Sequence, residues 1–149
     1  MKATEEHEQL VKALNSYIPD GDFITECILQ PIPTIFAQRS VAAGGNVLGL
    51  ERNKCDGILL SMNTMVKTLE QKNFAYPRVK AATEAIKQYA STVEGGLLDW
   101  LYLNYADQSQ DVLAGYGAEN IEFLKGVSAK YDPEAVFQKL CPGGFKLRN

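Results

Sequence analysis

One histidine, His7, and three cysteines, Cys27, Cys55 and Cys141, are all that 149 residues offer in thiol and imidazole chemistry. Cysteines that are odd in number and widely spaced form neither a disulfide framework nor a zinc site. With His7 as the only imidazole, Cys27 has no other partner to activate it and is expected to pack rather than react. The chain also lacks a basic block: 15 Lys and Arg stand against 18 Asp and Glu, for a net charge of -3. Phosphate neutralisation needs clustered cations, so a nucleic-acid partner is not expected. The opening stretch MKATEEHEQL carries three glutamates and no apolar core, unlike a secretory signal. The longest apolar runs, such as GILLSM, are far too short to span a bilayer, so no membrane partner is expected. Gly44-Gly45 lacks the strand–turn–helix context of a phosphate cradle. These absences imply a reduced, cytosolic (cytoplasmic) protein with no metal and no cofactor of its own.

What is present suits one domain over residues 1–149. Hydrophobic residues make up 46% and charged residues 22%, enough to bury a core. A helix over residues 4–17 is predicted from Leu10, Val11, Leu14 and Ile18, with Pro19, Asp20 and Gly21 stopping it. Phe23 to Ile28 suit a strand that Pro31 ends, and residues 33–45 read as a loop. NVLGLE predicts a second short strand, and Asp56-Gly57 a tight hairpin into a third, ILLSMNTMV. A long helix opens at Pro77 and closes at Gly95-Gly96. LLDWLYLN predicts a fourth strand. A helix over residues 118–130 follows, with Ile121, Leu124 and Val127 as its buried stripe. Asp132-Pro133 then caps a short helix that buries Val136, Phe137 and Leu140, and the tail is irregular. The fold class is α+β: a mainly antiparallel sheet of about four strands with helices packed on one face.

Alternation along those strands sorts side chains by face. Trp100, Tyr102 and Asn104 share one side of the fourth strand, and Leu101 and Leu103 the other. Ser61 and Asn63 oppose Ile58, Leu60 and Met62, while Glu26, Ile28 and Gln30 share a face. An open face of aromatic and amide groups is a candidate ligand platform, with a solvated outer face as the plain alternative. Asp107 and Asp111 are expected to cap turns, Glu26 to be solvated or paired, Met62 and Met65 to line core or pocket, and His7 to be a solvated helix residue.

The C-terminal third carries Tyr102-Leu103-Asn104-Tyr105, Tyr116-Gly117, Asn120, Leu124, Lys130-Tyr131-Asp132-Pro133 and Pro142-Gly143-Gly144-Phe145. It resembles the C-terminal signature of berberine-bridge-like, FAD-linked oxidases, especially fungal ones. LQPIP and GGNVLGLE upstream also resemble that family's substrate domain. The resemblance implies a sheet backed by helices whose open face covers flavin and substrate, with Tyr102 and Asn104 at that face. The family's large flavin-binding domain has no counterpart here. Met1 followed at once by a helix fits a standalone protein.

Two functions follow as expectations. The first is a cofactor-independent cyclase or isomerase of Diels–Alderase type, folding an apolar fungal secondary-metabolite intermediate in a pocket on the open face. Tyr102 and Asn104 would be its catalytic donors. Trp100, Asn63, Ser61, Gln30 and Arg39 would bind substrate, although Arg39 in a loop is more often simply solvated. The second is a subunit that completes a split FAD-linked oxidase with a flavin-domain partner, or a small-molecule binder. A homodimer burying the same face is compatible with either.

Overall fold

The computed structural model describes residues 1–98 and 100–147, which form two compact units. The first comprises Met1–Pro31 and Ile58–Leu98, and the second Ile32–Gly57 and Asp99–Asn149.

The first unit is built on amphipathic periodicity. Helix α1 (Lys2–Tyr17) buries Leu10 and Leu14, and Ile18 just beyond it is also buried. These side chains meet Ala75 of helix α3 (Leu69–Ser91). Phe23, Met62, Val66, Phe74 and Val79 close the cluster. Full burial of Leu14 contributes about 1.5–3 kcal/mol. Phe23 belongs to strand β1 (Phe23–Ile32), and Met62 and Val66 to strand β2 (Gly57–Val66). The two strands form an antiparallel sheet. Across it, Thr25 Oγ1 donates to the Asn63 carbonyl at 3.1 Å and lies 3.0 Å from Thr64 Oγ1. His7 Nε2 lies 3.3 Å from the same Thr25 hydroxyl, so His7 is half-buried rather than solvated.

Helix α3 starts well before Pro77, because Thr68 supplies a stronger signal. Its hydroxyl accepts from the Gln71 N–H, and the Gln71 side chain accepts from the Thr68 N–H, each at 3.1 Å. That capping box opens the helix, and Pro77 sits inside it.

The α+β class holds, but two strands are found among the described residues where about four are predicted. NVLGLE is not a strand. The Asn46 side chain accepts from the Leu48 N–H at 2.8 Å, Gly49 takes φ +74°, and Leu50–Arg52 form a 3-10 turn. LLDWLYLN is not a strand either: Leu103–Tyr105 is a 3-10 turn, and residues 97, 98 and 100–102 are irregular. Asp99, within that segment, lies outside the described residues, as do Arg148 and Asn149 in the tail. Residues 33–45 are not a loop but carry helix α2 (Thr34–Ala42). Asp56-Gly57 makes no tight hairpin, since β1 and β2 are joined by the long segment that carries α2. Instead the Asp56 carboxylate accepts from the Thr34 N–H at 2.7 Å and the Thr34 hydroxyl at 2.9 Å.

In the second unit, helix α4 (Ala118–Tyr131) leaves Ile121 and Leu124 half-buried and Val127 exposed. Helix α5 (Val136–Lys139) starts later than Asp132-Pro133 predicts, with Ala135 at its N-cap, although the Asp132 carboxylate accepts from the Val136 and Phe137 N–H groups at 2.8 and 3.0 Å. Val136, Phe137 and Leu140 are nevertheless exposed, because one helical turn presents no face wide enough to bury all three.

Candidate functional site

The residues expected at the site divide between the units. Gln30, Ser61 and Asn63 belong to the first, and Arg39, Trp100, Tyr102 and Asn104 to the second.

On the sheet, Met62 and Val66 face the helices, so Ser61, Asn63 and Met65 share the other face. The Ser61 hydroxyl donates to the Asn63 side-chain carbonyl at 3.0 Å, and Ser61 is buried. Ile24, Glu26, Ile28, Gln30, Asn63 and Met65 are exposed, so this face is part apolar and part amide. Ile58, expected beside Met62 under the helices, is exposed at the strand's start. Burial pushes the Cys27 thiol up, which suits a packing cysteine. Arg39 lies in the last turn of α2, not in a loop, and is exposed.

The second unit gathers the aromatic residues into one place. The Trp100 indole N–H donates to the Leu48 carbonyl at 2.8 Å. Its ring stacks on Tyr102, with centroids 5.8 Å apart and planes 21° off parallel. Tyr105 meets the Tyr102 ring edge-on at 5.0 Å. The 3-10 turn that carries them is closed by the Tyr105 N–H donating to the Tyr102 carbonyl at 3.0 Å. Asn104 Nδ2 donates to the Tyr102 phenol oxygen at 2.9 Å. Tyr102 and Asn104 therefore form one hydrogen-bonded pair, made by a turn rather than by alternation along a strand. Asp107 accepts from the Ser109 N–H at 3.0 Å and its hydroxyl at 2.6 Å, the turn-capping role expected of it.

Behind this turn lies a residue that pattern reading passed over as a site member. Tyr116 is 2% exposed and ends the 3-10 turn Leu113–Tyr116. Burial pushes its phenol above the ordinary value, and the nearby Tyr102 phenol adds to the rise. The Leu103 backbone N–H is close enough to oppose that shift in part, yet no group meets the hydroxyl with hydrogen-bond geometry. The signal for Tyr116 was its flanking pair, Gly115 and Gly117, which mark a backbone held close to something.

A shallow cleft of about 190 Å³ also occurs in this unit. It is lined by Asp111, Leu113, Ala114, Ile121, Lys146 and Leu147, none of them residues expected at the site. It is smaller than the pockets of about 300–1,000 Å³ that enclose drug-sized ligands. Among the described residues, no group of three or more His, Cys, Asp and Glu side chains is placed to hold a metal. No helix among them is long and apolar enough to cross a membrane.

A flavin dinucleotide would need a phosphate cradle. Gly49 and Gly117, with φ +74° and +92°, stand either side of a cation, the makings of one. Arg52's own guanidinium fills that space and is spent on backbone carbonyls. Among the described residues, this glycine pair does not fit a flavin's phosphates.

No protein-family model and no solved structure matches the chain. Curated relatives do. The FAD-dependent monooxygenase drtC of Aspergillus calidoustus is 36% identical over 141 residues, covering 95% of this chain and 27% of the relative. The FAD-dependent monooxygenase sdcF of Emericella nidulans is 40% identical over 126 residues, covering 85% and 26%. A bifunctional solanapyrone synthase of Alternaria solani is 50% identical over 50 residues, covering 34% and 10%. The chain is thus similar, over almost all of its own length, to about a quarter of the length of fungal FAD-dependent monooxygenases.

Proposed function

We propose that this chain is the substrate-facing part of an FAD-linked oxidase of fungal secondary metabolism, completed by a flavin-bearing module. The observation that carries the reading is the match itself: 95% of this chain against 27% of a relative named for FAD. The exposed apolar side chains agree with it, since Ile24 and Met65 on the sheet, each 55% exposed, are surface that a partner would cover.

In this reading Tyr102 is the donor that meets the substrate. Asn104 holds the phenol oxygen, which leaves the Tyr102 O–H to point at a substrate oxygen and would steady a phenolate if the proton left. Trp100 is the apolar wall on which an unsaturated, apolar intermediate lies flat. Arg39 takes a substrate carboxylate if one is present.

The test is co-expression with a flavin-bearing module taken from the unmatched part of a relative. The expected result is yellow flavin absorbance and turnover in the pair, with a colourless chain alone. Within the pair, Tyr102→Phe should lower turnover about 10²–10⁴-fold, as for loss of a proton donor. Unchanged turnover in both Tyr102→Phe and Asn104→Ala would remove these residues from the site.

A cofactor-independent cyclase is the second reading, favoured by the 50-residue match to a synthase. It predicts conversion of an apolar intermediate by the colourless chain with no partner present.

A further inference from the structure

We propose that Arg52 is the positioning residue that sets the Tyr102–Asn104 turn; this rests on the reading that the turn meets substrate. Arg52 is exposed, yet its guanidinium is engaged by the backbone. Its Nε donates to the Gly49 carbonyl at 3.2 Å, and its Nη2 donates to the Gly115 carbonyl. Its Nη1 lies against Gly117, where a Cβ would stand only 2.9 Å away. At Gly49 a Cβ would stand 2.5 Å from Nη2 and 2.7 Å from the Tyr116 carbonyl oxygen. Two glycines and two carbonyls are therefore fitted around one planar fork, a geometry that a lysine's single nitrogen cannot reproduce.

What the fork holds is the support of the aromatic turn. The same short segment that contains Arg52 also presents the Leu48 carbonyl to the Trp100 indole. Through Gly115 and Gly117 it brackets Tyr116, whose carbonyl is further tied by Asn120 Nδ2 at 2.9 Å. The buried Tyr116 lies near Tyr102 and the Leu103 backbone, with no hydrogen bond to its hydroxyl. The turn is thus tied at Trp100 and backed by the buried Tyr116 ring, and both supports lead back to residues 48–52. The hydrogen bonds of Arg52 go to the Gly49 and Gly115 carbonyls, so it acts through the backbone that seats Tyr102 and Asn104.

Arg52→Lys and Arg52→Met in the full chain test this. Trp100 is the only tryptophan, so its emission and near-ultraviolet circular dichroism report the turn directly. Both variants should keep their far-ultraviolet helical signal. Trp100 emission should move to longer wavelength and the Trp100–Tyr102 near-ultraviolet signal should weaken, more in Met than in Lys. In the reconstituted pair, kcat should fall about tenfold or more with little change in KM, the signature of misplaced rather than lost binding groups. A merely structural arginine would lower the melting temperature and leave Trp100 signals and kcat unchanged below it, and that result overturns the proposal. Should the Met variant fail to fold, the Lys variant decides alone: folded, with unaltered Trp100 signals, it overturns the proposal. Failure of the functional reading looks different, because the spectral changes would then appear while even the unaltered pair turns nothing over.

Discussion

The two units reach their shapes by different means. The first condenses around Leu10, Leu14, Ile18 and Ala75, with half-buried neighbours from both strands. The second buries Val112 and Tyr116 and leaves Phe36, Phe123 and Phe137 more than half exposed. Its order comes from directed polar ties: Arg52 to two carbonyls, Trp100 to Leu48, and Asp56 to Thr34. Apolar packing tolerates small shifts of position, whereas a bond to a carbonyl fixes distance and angle together. The unit held by bonds is the one that carries the aromatic turn.

The contrast can be broken most forcefully in the first unit. Leu14→Ala should cost about 2–5 kcal/mol, because Leu14 is wholly buried and its removal leaves a cavity. A denaturant midpoint that hardly moved would show that the cluster is not the source of that unit's stability. Gly49→Ala strikes the second unit. Its φ of +74° alone should cost about 1–2 kcal/mol for a residue with a Cβ. The added methyl also stands 2.7 Å from the Tyr116 carbonyl oxygen, so the drop in melting temperature should exceed that of an alanine placed at Gly44, which has open space.

Tyr116→Phe should act in the opposite direction. Removing a buried hydroxyl without a hydrogen bond should leave stability unchanged or raise it by up to about 1 kcal/mol. A clear loss on thermal melting would mean that the phenol is bonded after all. The smallest effect is electrostatic. The Thr34 N–H and hydroxyl hold the exposed Asp56 carboxyl below its ordinary value of 3.8. A depressed folded-state pKa gives a contribution that is complete above the unfolded value and lost as pH falls through the folded one. The Thr34 amide resonance should therefore titrate below pH 3.8, and Asp56→Asn should flatten that titration.

Periodicity in the sequence was enough to find α1, β1, β2 and the body of α3, but not the first turns of α3, where Phe74 and Ala75 meet the core ahead of Pro77. It failed where other chemistry satisfies the same spacing. LLDWLYLN alternates like a strand, but its aromatic residues stack on one another and its indole bonds a loop carbonyl. PTIFAQRSVAAGG read as a loop because prolines and glycines flank it. Those residues are the punctuation of α2, with Pro33 at its N-cap and Gly44 just past its C-cap Ala43. Trp100, Tyr102 and Asn104 were legible as candidates, and they do meet. Arg52 and Tyr116 were not, because the partners of Arg52 are main-chain carbonyls and the Tyr116 hydroxyl is buried without a hydrogen bond, and side-chain spacing encodes neither.

Pro77 gives α3 a mechanical weak point. A proline has no N–H for the carbonyl four residues earlier, so Asn73 loses its helical donor, and the ring crowds that carbonyl. One position on, the Arg78 side chain donates to the Phe74 carbonyl at 2.7 Å while its guanidinium covers the Phe74 ring. Pro77 is therefore a joint in the backbone ladder of the helix, with Phe74 and Ala75 before it and Val79 after it all packed at the same core. Amide exchange in deuterated water would register the joint as a step in protection on crossing Pro77.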